Sequence, residues 1–323
     1  AGGICCGLTH GAMAPAEHQY TLSHYVKGAL AGGICCGLTH GAMCPVDVVK
    51  TRIQLDPVKY NKGMIGSFKQ VIAEEGVVGL STGLGPTAVG YFVQGWFKFG
   101  GVEYFKIKIA TSLGPKKAWD NRNNIYLVSS AMAEFIADIF LCPLEAARIR
   151  LVSNPTYATG TVSTMMKMAR EMGPIPAFYS GFGPILFKQV PYTMAKFAVQ
   201  GKAAEVIYNS MGTSPQKSSP SLNIGVSLMS GVIAGVAAAI ISHPADTLLS
   251  KVNKAGAGGS GSISQRLVNI AKQTGVVGLC LTGLGPRCVM IGTLTSLQFG
   301  IFDSVMGALG ATRYHFHNPA DGH

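Results

Sequence analysis

The chain has 323 residues, of which 48% are apolar and only 13% charged, with 42 glycines and a formal net charge of +11. That excess of apolar over charged residues excludes an ordinary soluble domain and fits an all-α protein embedded in a membrane. The positive balance suits nucleic acid, anionic lipid or an anionic solute, but no nucleic-acid-binding module is recognisable, so no such partner is expected.

In chain order, the string AGGICCGLTHGAM occurs at 1–13 and again at 31–43. Only the second copy stands far enough into the chain, before Pro45-Val-Asp47-Val-Val-Lys50, to lie in a spanning helix. Residues 1–19 therefore read as an N-terminal segment whose first thirteen residues are a duplication or cloning artefact. Lys27 is the only Lys or Arg before Lys50, unlike an Arg-rich transit peptide.

From there one grammar recurs three times. GLGP at 83–86 returns as GFGP at 181–184 and GLGP at 283–286, at spacings of 98 and 102 residues. The Pro-x-acid motif keeps step: Pro45-Val-Asp47, Pro143-Leu-Glu145 and Pro244-Ala-Asp246 begin 98 and 101 residues apart. Such self-similarity marks a repeat architecture, with units at 20–118, 119–216 and 217–311 and a tail at 312–323. Each unit predicts two spanning helices, at 22–46 and 83–107, 125–147 and 182–208, and 222–246 and 284–309. All are long enough, at about 1.5 Å per residue, to cross a hydrocarbon core of about 30 Å. Between the members of each pair lies a short amphipathic segment ending in glycine, at 67–75, 163–172 and 264–274. The loop 255–262 (AGAGGSGS) reads as a flexible connector. Six spans put both termini on one side.

The cysteines lie mostly in apolar runs and lack the framework of a small secreted domain. Cys35 and Cys36 would point about 100° apart on a helix, and no His or Met cluster completes a metal site. No cofactor is expected.

The triplicated Pro-x-acid-x-x-base motif, with the strings THGAMCPVDVVKTRIQ, FKFGGVEYFK, AEFIADIFLCPLEAARIR, SHPADTLL and GTLTSLQFGIFDSV, resembles the mitochondrial carrier family across essentially residues 20–310, and in particular its phosphate-carrying branch. The resemblance implies a six-helix pore of threefold pseudosymmetry in the mitochondrial inner membrane, with both termini toward the intermembrane space. It implies phosphate transport into the matrix by alternating access, coupled to proton symport or hydroxide antiport. It further implies a carrier rather than an enzyme, surrounded by cardiolipin and other inner-membrane lipid. A pore inside one bundle needs no second copy, so a monomer suffices. Another anion such as a dicarboxylate, or a regulated pore or proton leak, stays open as an alternative.

Pro45, Pro143 and Pro244 are expected to kink the odd helices in their last turns, turning the motif charges toward the axis. By the family's pairing order Asp47 should meet Arg148 and Asp246 should meet Lys50, as a gate at the matrix mouth. Glu145 loses its base because Leu249 stands there, and must find water or another partner. The opposite gate is thinner. Val102-Glu103-Tyr104-Phe105-Lys106 is a partial match to the family's aromatic-acid-x-x-base pattern, Asp303 has Met306 in the basic place, and Gln200-Gly201 carries no acid. Asp303 to Lys106 is the one pair expected, with bulky packing completing the closure.

Counting back seven or eleven residues from each motif acid stays within about 20° of the same helix face. This places His40, Asp138 and Glu134 on the cavity wall as a proton relay, since ionisable groups inside a membrane default to function. Aligning the even helices on GxGP sets Lys98, Lys196 and Gln298 at one level, with Lys188 and Arg287 nearer the motif end. Cations around a water-filled cavity form a funnel for an anion, and Arg can grip phosphate oxygens in pairs. The expected phosphate ligands are Lys98, Lys188 and Arg287, with Thr39, Gln94, Gln189 and Lys196 as further candidates.

Overall fold

A computed structural model describes residues 20–56, 58–215, 217–252, 263–281 and 283–316. The duplicated string at 1–13, the connector 255–262 and the last seven residues of the tail lie outside the described residues. The described elements are all helical: α1 (Leu22–Leu55), α2 (Gly63–Glu75), α3 (Leu84–Leu113), α4 (Pro115–Asp120), α5 (Arg122–Ser153), α6 (Thr161–Met172), α7 (Pro174–Tyr179), α8 (Phe182–Ser210), α9 (Pro220–Val252), α10 (Ile263–Leu281) and α11 (Leu284–Ala308), with a short 3-10 turn at Val77–Ser81. Six of these are long. They pack in chain order, α1 on α3, α3 on α5, α5 on α8, α8 on α9 and α9 on α11, and α11 returns to α1 to close a ring.

Four of the long helices, α1, α5, α9 and α11, are long and apolar enough to cross a membrane, and α3 qualifies together with the bent helix before it. At 29 residues α8 has the length, but Lys188, Gln189 and Lys196 lower its hydropathy. Those residues face the interior cavity rather than lipid.

The odd helices run further than the sequence suggested. α1, α5 and α9 continue well past Pro45, Pro143 and Pro244, each of which sits inside a continuous helix rather than in its last turn. A proline removes a single N–H, and a packed membrane helix tolerates that loss. The extensions have partners of their own. Arg52, two residues beyond Lys50, makes a two-pronged contact with Glu75 of α2, one arm at 2.8 Å, and so ties the end of α1 to the short amphipathic helix.

That short helix ends the same way in each repeat. Gly76, Gly173 and Gly275 take φ of 72°, 80° and 70° with ψ near the extended limit, a backbone region open only to glycine. The glycine redirects the chain toward the GxGP turn, which is why glycine closes the amphipathic segment in all three units.

Close crossings join the paired helices of the first and third repeats. A Cβ on Gly95 of α3 would overlap the carbonyl of Gly32 and lie 2.6 Å from Cys36 Cβ; one on Gly235 of α9 would lie 2.7 Å from Gly292 Cα of α11. Small residues at such crossings let backbones touch, which is how helices associate in lipid. Gly95→Ala is therefore expected to cost about 1–3 kcal/mol through overpacking, seen as a lower unfolding temperature in detergent. Gly28→Ala is the matched control, since a Cβ there meets nothing within 4 Å. Equal melting of the two variants would remove the crossing from the account.

Candidate functional site

Within the ring lies a cavity of about 560 Å³ that reaches from the Pro-x-acid motifs down to Lys98, Lys196 and Gln298. Its two ends differ. At the motif end the Asp47 and Lys188 side chains are 23% and 36% exposed, so this mouth is open to water. At the other end Glu103 and Lys106 are 2% and 1% exposed. A buried layer of Phe99, Phe197, Phe299, Phe302 and Met306 separates them from the cavity. Bulky packing thus closes that end, as the sequence suggested it must.

At the floor, Lys98 Nζ stands 3.0 Å from Glu134 Oε2. Gln94 Nε2 donates to Glu134 at 3.0 Å and to Asp138 at 3.3 Å. Lys196 donates to the Gln298 side chain, and Gln298 in turn donates to Thr39 at 3.2 Å. The Lys196 ammonium also sits 4.8 Å from the Phe99 ring centre and 5.3 Å from that of Phe299, where ring quadrupoles steady a cation otherwise stripped of water. The common level of Lys98, Lys196 and Gln298 was readable from the GxGP register.

His40 lies on the cavity wall, stacked on Tyr91 with ring centres 3.6 Å apart. Here the structure corrects the expectation that His40, Asp138 and Glu134 line one surface. Glu134 and Asp138 are both 0% exposed and lie behind Gln94 and Lys98, outside the cavity lining. Counting residues along α5 fixed their face but could not see that the neighbouring α3 covers it. Thr39 also falls outside the lining and reaches the cavity only through Gln298. Gln94 and Gln189 line it directly.

At the mouth, Arg148 reaches Asp47 at 3.5 Å and Glu145 of its own helix at 2.8 Å, so Glu145 finds its partner one turn away. Asp246 does not meet Lys50. It holds Arg287 of α11 closely and Lys188 of α8 at 3.9 Å, while Arg287 also donates to Ser242 at 3.0 Å. The reason is geometric: α8 and α11 flank α9 in the ring whereas α1 stands across the mouth, so with the mouth open Asp246 reaches its neighbours first.

The sealed end also departs from the expected pairing. Lys106 binds Glu103 of its own helix at 2.7 Å instead of Asp303. Asp303 takes a hydrogen bond from Ser227 and faces Arg313 at 3.6 Å. Arg313 lies beyond the last helix, where repeat alignment had no register to assign it. Tyr91 and Tyr192 on the cavity wall were missed too, because neither belongs to a motif shared by the three units.

Among the described residues, seven Lys or Arg side chains line the cavity against three carboxylates, so the chamber attracts an anion. Among the described residues no group of His, Cys, Asp and Glu is arranged to hold a metal ion.

A closed ring of long apolar helices around a blind, positively charged chamber defines a membrane carrier for a small anion. The profile described as mitochondrial carrier protein matches residues 22–113, 121–211 and 220–312, and the chain belongs to that family. It is accordingly a multi-pass protein of the mitochondrial inner membrane and not an enzyme. It is 49% identical over 270 residues to mitochondrial substrate carrier family protein N of Dictyostelium discoideum, covering 83% of this chain and 89% of that one. It is 44% identical to a probable mitochondrial phosphate carrier protein of Schizosaccharomyces pombe, over 80% of this chain and 82% of the relative. With the mitochondrial phosphate carrier protein of Caenorhabditis elegans it shares 42% identity over 97% of this chain and 80% of the other.

Proposed function

We propose that this protein transports inorganic phosphate into the mitochondrial matrix by alternating access, coupled to proton symport or hydroxide antiport, and that it works as a monomer among cardiolipin and other inner-membrane lipid with both termini toward the intermembrane space. The observation that carries the reading is the blind chamber with Lys98 and Lys196 at its floor and Lys188 and Arg287 on the way in. The relatives named as phosphate carriers supply the identity of the anion.

Phosphate entering this matrix-open chamber, the exchange leg of the cycle, competes with Asp246 for Arg287 and Lys188, and the planar guanidinium suits two phosphate oxygens at once. Lys98 and Lys196 draw the anion further in, with Gln94 and Gln189 donating to its oxygens and Thr39 acting through Gln298. An Asp246 relieved of Arg287 is free for Lys50 across the mouth, and Asp47 already faces Arg148. Occupancy thereby favours closure of the matrix gate formed by Asp47, Lys50, Glu145, Arg148 and Asp246. A ligand shifts an equilibrium only through such a difference in contacts between two states.

The proton is carried by His40 together with Glu134 and Asp138. His40 meets the cavity directly; Asp138 Oδ2 is buried without a hydrogen-bond partner, an arrangement costly for an ionised carboxyl and suited to one that holds a proton. Gln94 links the two acids to the chamber.

The test is phosphate uptake into proteoliposomes with and without a pH gradient. Uptake should rise severalfold with the gradient, compete with arsenate and ignore malate. His40→Ala should retain phosphate exchange and lose the response to the gradient. Wild-type protein that carries malate and no phosphate would sink the substrate assignment, and normal coupling in the variant would move the proton to the acids alone.

A further inference from the structure

The segment after α11 folds back over the sealed end of the ring. Gly310, at φ 65°, makes the reversal: the Gly310 amide donates to Gly307 at 3.0 Å and the Ala311 amide to Met306 at 2.9 Å, the paired bonds of a Schellman helix stop. From this turn the chain reaches three even helices in two consecutive residues. Arg313 Nη1 donates to Gln200 of α8 at 3.1 Å and Nη2 faces Asp303 of α11 at 3.6 Å. The Tyr314 amide donates to Glu103 of α3, and its carbonyl accepts from Lys106 at 2.9 Å.

Rings fasten the rest of the segment. Phe316 packs edge-on to Tyr126 of α5, His315 to Tyr208 of α8, and Tyr314 to Tyr20 ahead of α1. Burial, with the Glu103 carboxylate nearby, pushes the Tyr314 phenol up to about 12, so this ring stays neutral. The Arg313 side chain is only 10% exposed.

This placement answers the deficit of charge at that end. Asp303 has Met306 in the basic place of its motif, and the middle repeat offers Gln200 where an acid would stand. Arg313 satisfies both. We propose that residues 311–316 form a strap in which Arg313 serves as the missing base of the sealed gate, and that the strap must release for the cavity to open at that end. A short segment bonded to α3, α8 and α11 cannot follow all three when they part, so opening breaks at least two of its attachments. Bonds made only in one state bias the equilibrium toward it.

The transport arm of the test rests on the phosphate reading, and a second arm does not. Tyr208→Cys/His315→Cys together with Tyr20→Cys/Tyr314→Cys, each pair joined by a short reversible bis-methanethiosulfonate so that the double crosslink holds the strap on two walls of the ring, should lose phosphate uptake by at least about tenfold, the loss expected when most of the population is held in one state. Dithiothreitol should restore uptake, and each single variant treated alike should keep its rate. Full uptake with both crosslinks in place would overturn the strap. Absence of uptake in wild-type protein would fault the phosphate reading instead, and the second arm then decides. Hydrogen exchange should rise in Arg313→Ala both across 311–316 and at the sealed ends of α3, α8 and α11, with Arg313→Lys retaining part of the protection. Faster exchange confined to 311–316 would make the segment a passenger and overturn the proposal.

Discussion

Lys98→Met should abolish phosphate uptake and cost about 3–5 kcal/mol of stability, because it leaves the Glu134 carboxylate buried with no opposite charge. Lys98 Nζ stands 3.0 Å from Glu134 Oε2, with the Lys98 side chain only 5% exposed at the cavity floor and Glu134 fully buried behind it. Glu134→Ala should destabilise by a similar amount from the other direction. The informative variant is Lys98→Met/Glu134→Leu. Replacing a buried ion pair with apolar side chains of like volume is often neutral or stabilising, so the double variant should melt within a few degrees of wild type while uptake stays absent. A double variant that both folds and transports would remove Lys98 from the phosphate path. One that stays as unstable as either single variant would show that Gln94 and Asp138, which share this network through bonds of 3.0 and 3.3 Å, carry the cost instead.

The repeats, the residue types of the chamber and the level of Lys98, Lys196 and Gln298 were legible because they obey a register: GxGP and Pro-x-acid recur at nearly fixed spacing, and helical counting does the rest. What counting along one helix cannot reveal is the neighbour. Asp138 and Glu134 lie on the expected side of α5, yet Gln94 and Lys98 of α3 stand between them and the cavity. Partner choice was illegible for a second reason: it depends on which mouth is open. Asp246 holds Arg287 and Lys188 here because Lys50 is across an open entrance, and no sequence pattern encodes that state. Arg313 escaped because it belongs to no repeat, and only the Schellman turn at Gly310 brings it back over the bundle. The prolines misled about helix ends, since one lost N–H is a small perturbation in a packed helix that has further partners such as Arg52 with Glu75.

Asp246→Asn and Arg287→Ala should move phosphate affinity in opposite ways, because Asp246 and phosphate compete for the Arg287 guanidinium. In Asp246→Asn the guanidinium and the Lys188 ammonium no longer answer to a carboxylate, so phosphate should bind more tightly. Charge-assisted hydrogen bonds are worth about 1.5–3 kcal/mol, and the lower end of that range is about a tenfold fall in the phosphate concentration giving half-maximal exchange. The same change removes the acid that the mouth needs when it closes on Lys50, so turnover should fall by about two orders of magnitude, some 2.7 kcal/mol on the barrier. Arg287→Ala should raise the half-maximal concentration about tenfold and leave Asp246 free to close the mouth on an empty chamber, which slows exchange without blocking it. Initial rates of labelled phosphate exchange across a concentration series separate these outcomes. If Asp246→Asn instead weakens binding, Asp246 orients Arg287 for phosphate rather than contending with it, and the link between occupancy and closure fails at its first step. If both variants lower turnover equally with no change in affinity, Arg287 belongs to the gate and the anion is held by the lysines at the floor.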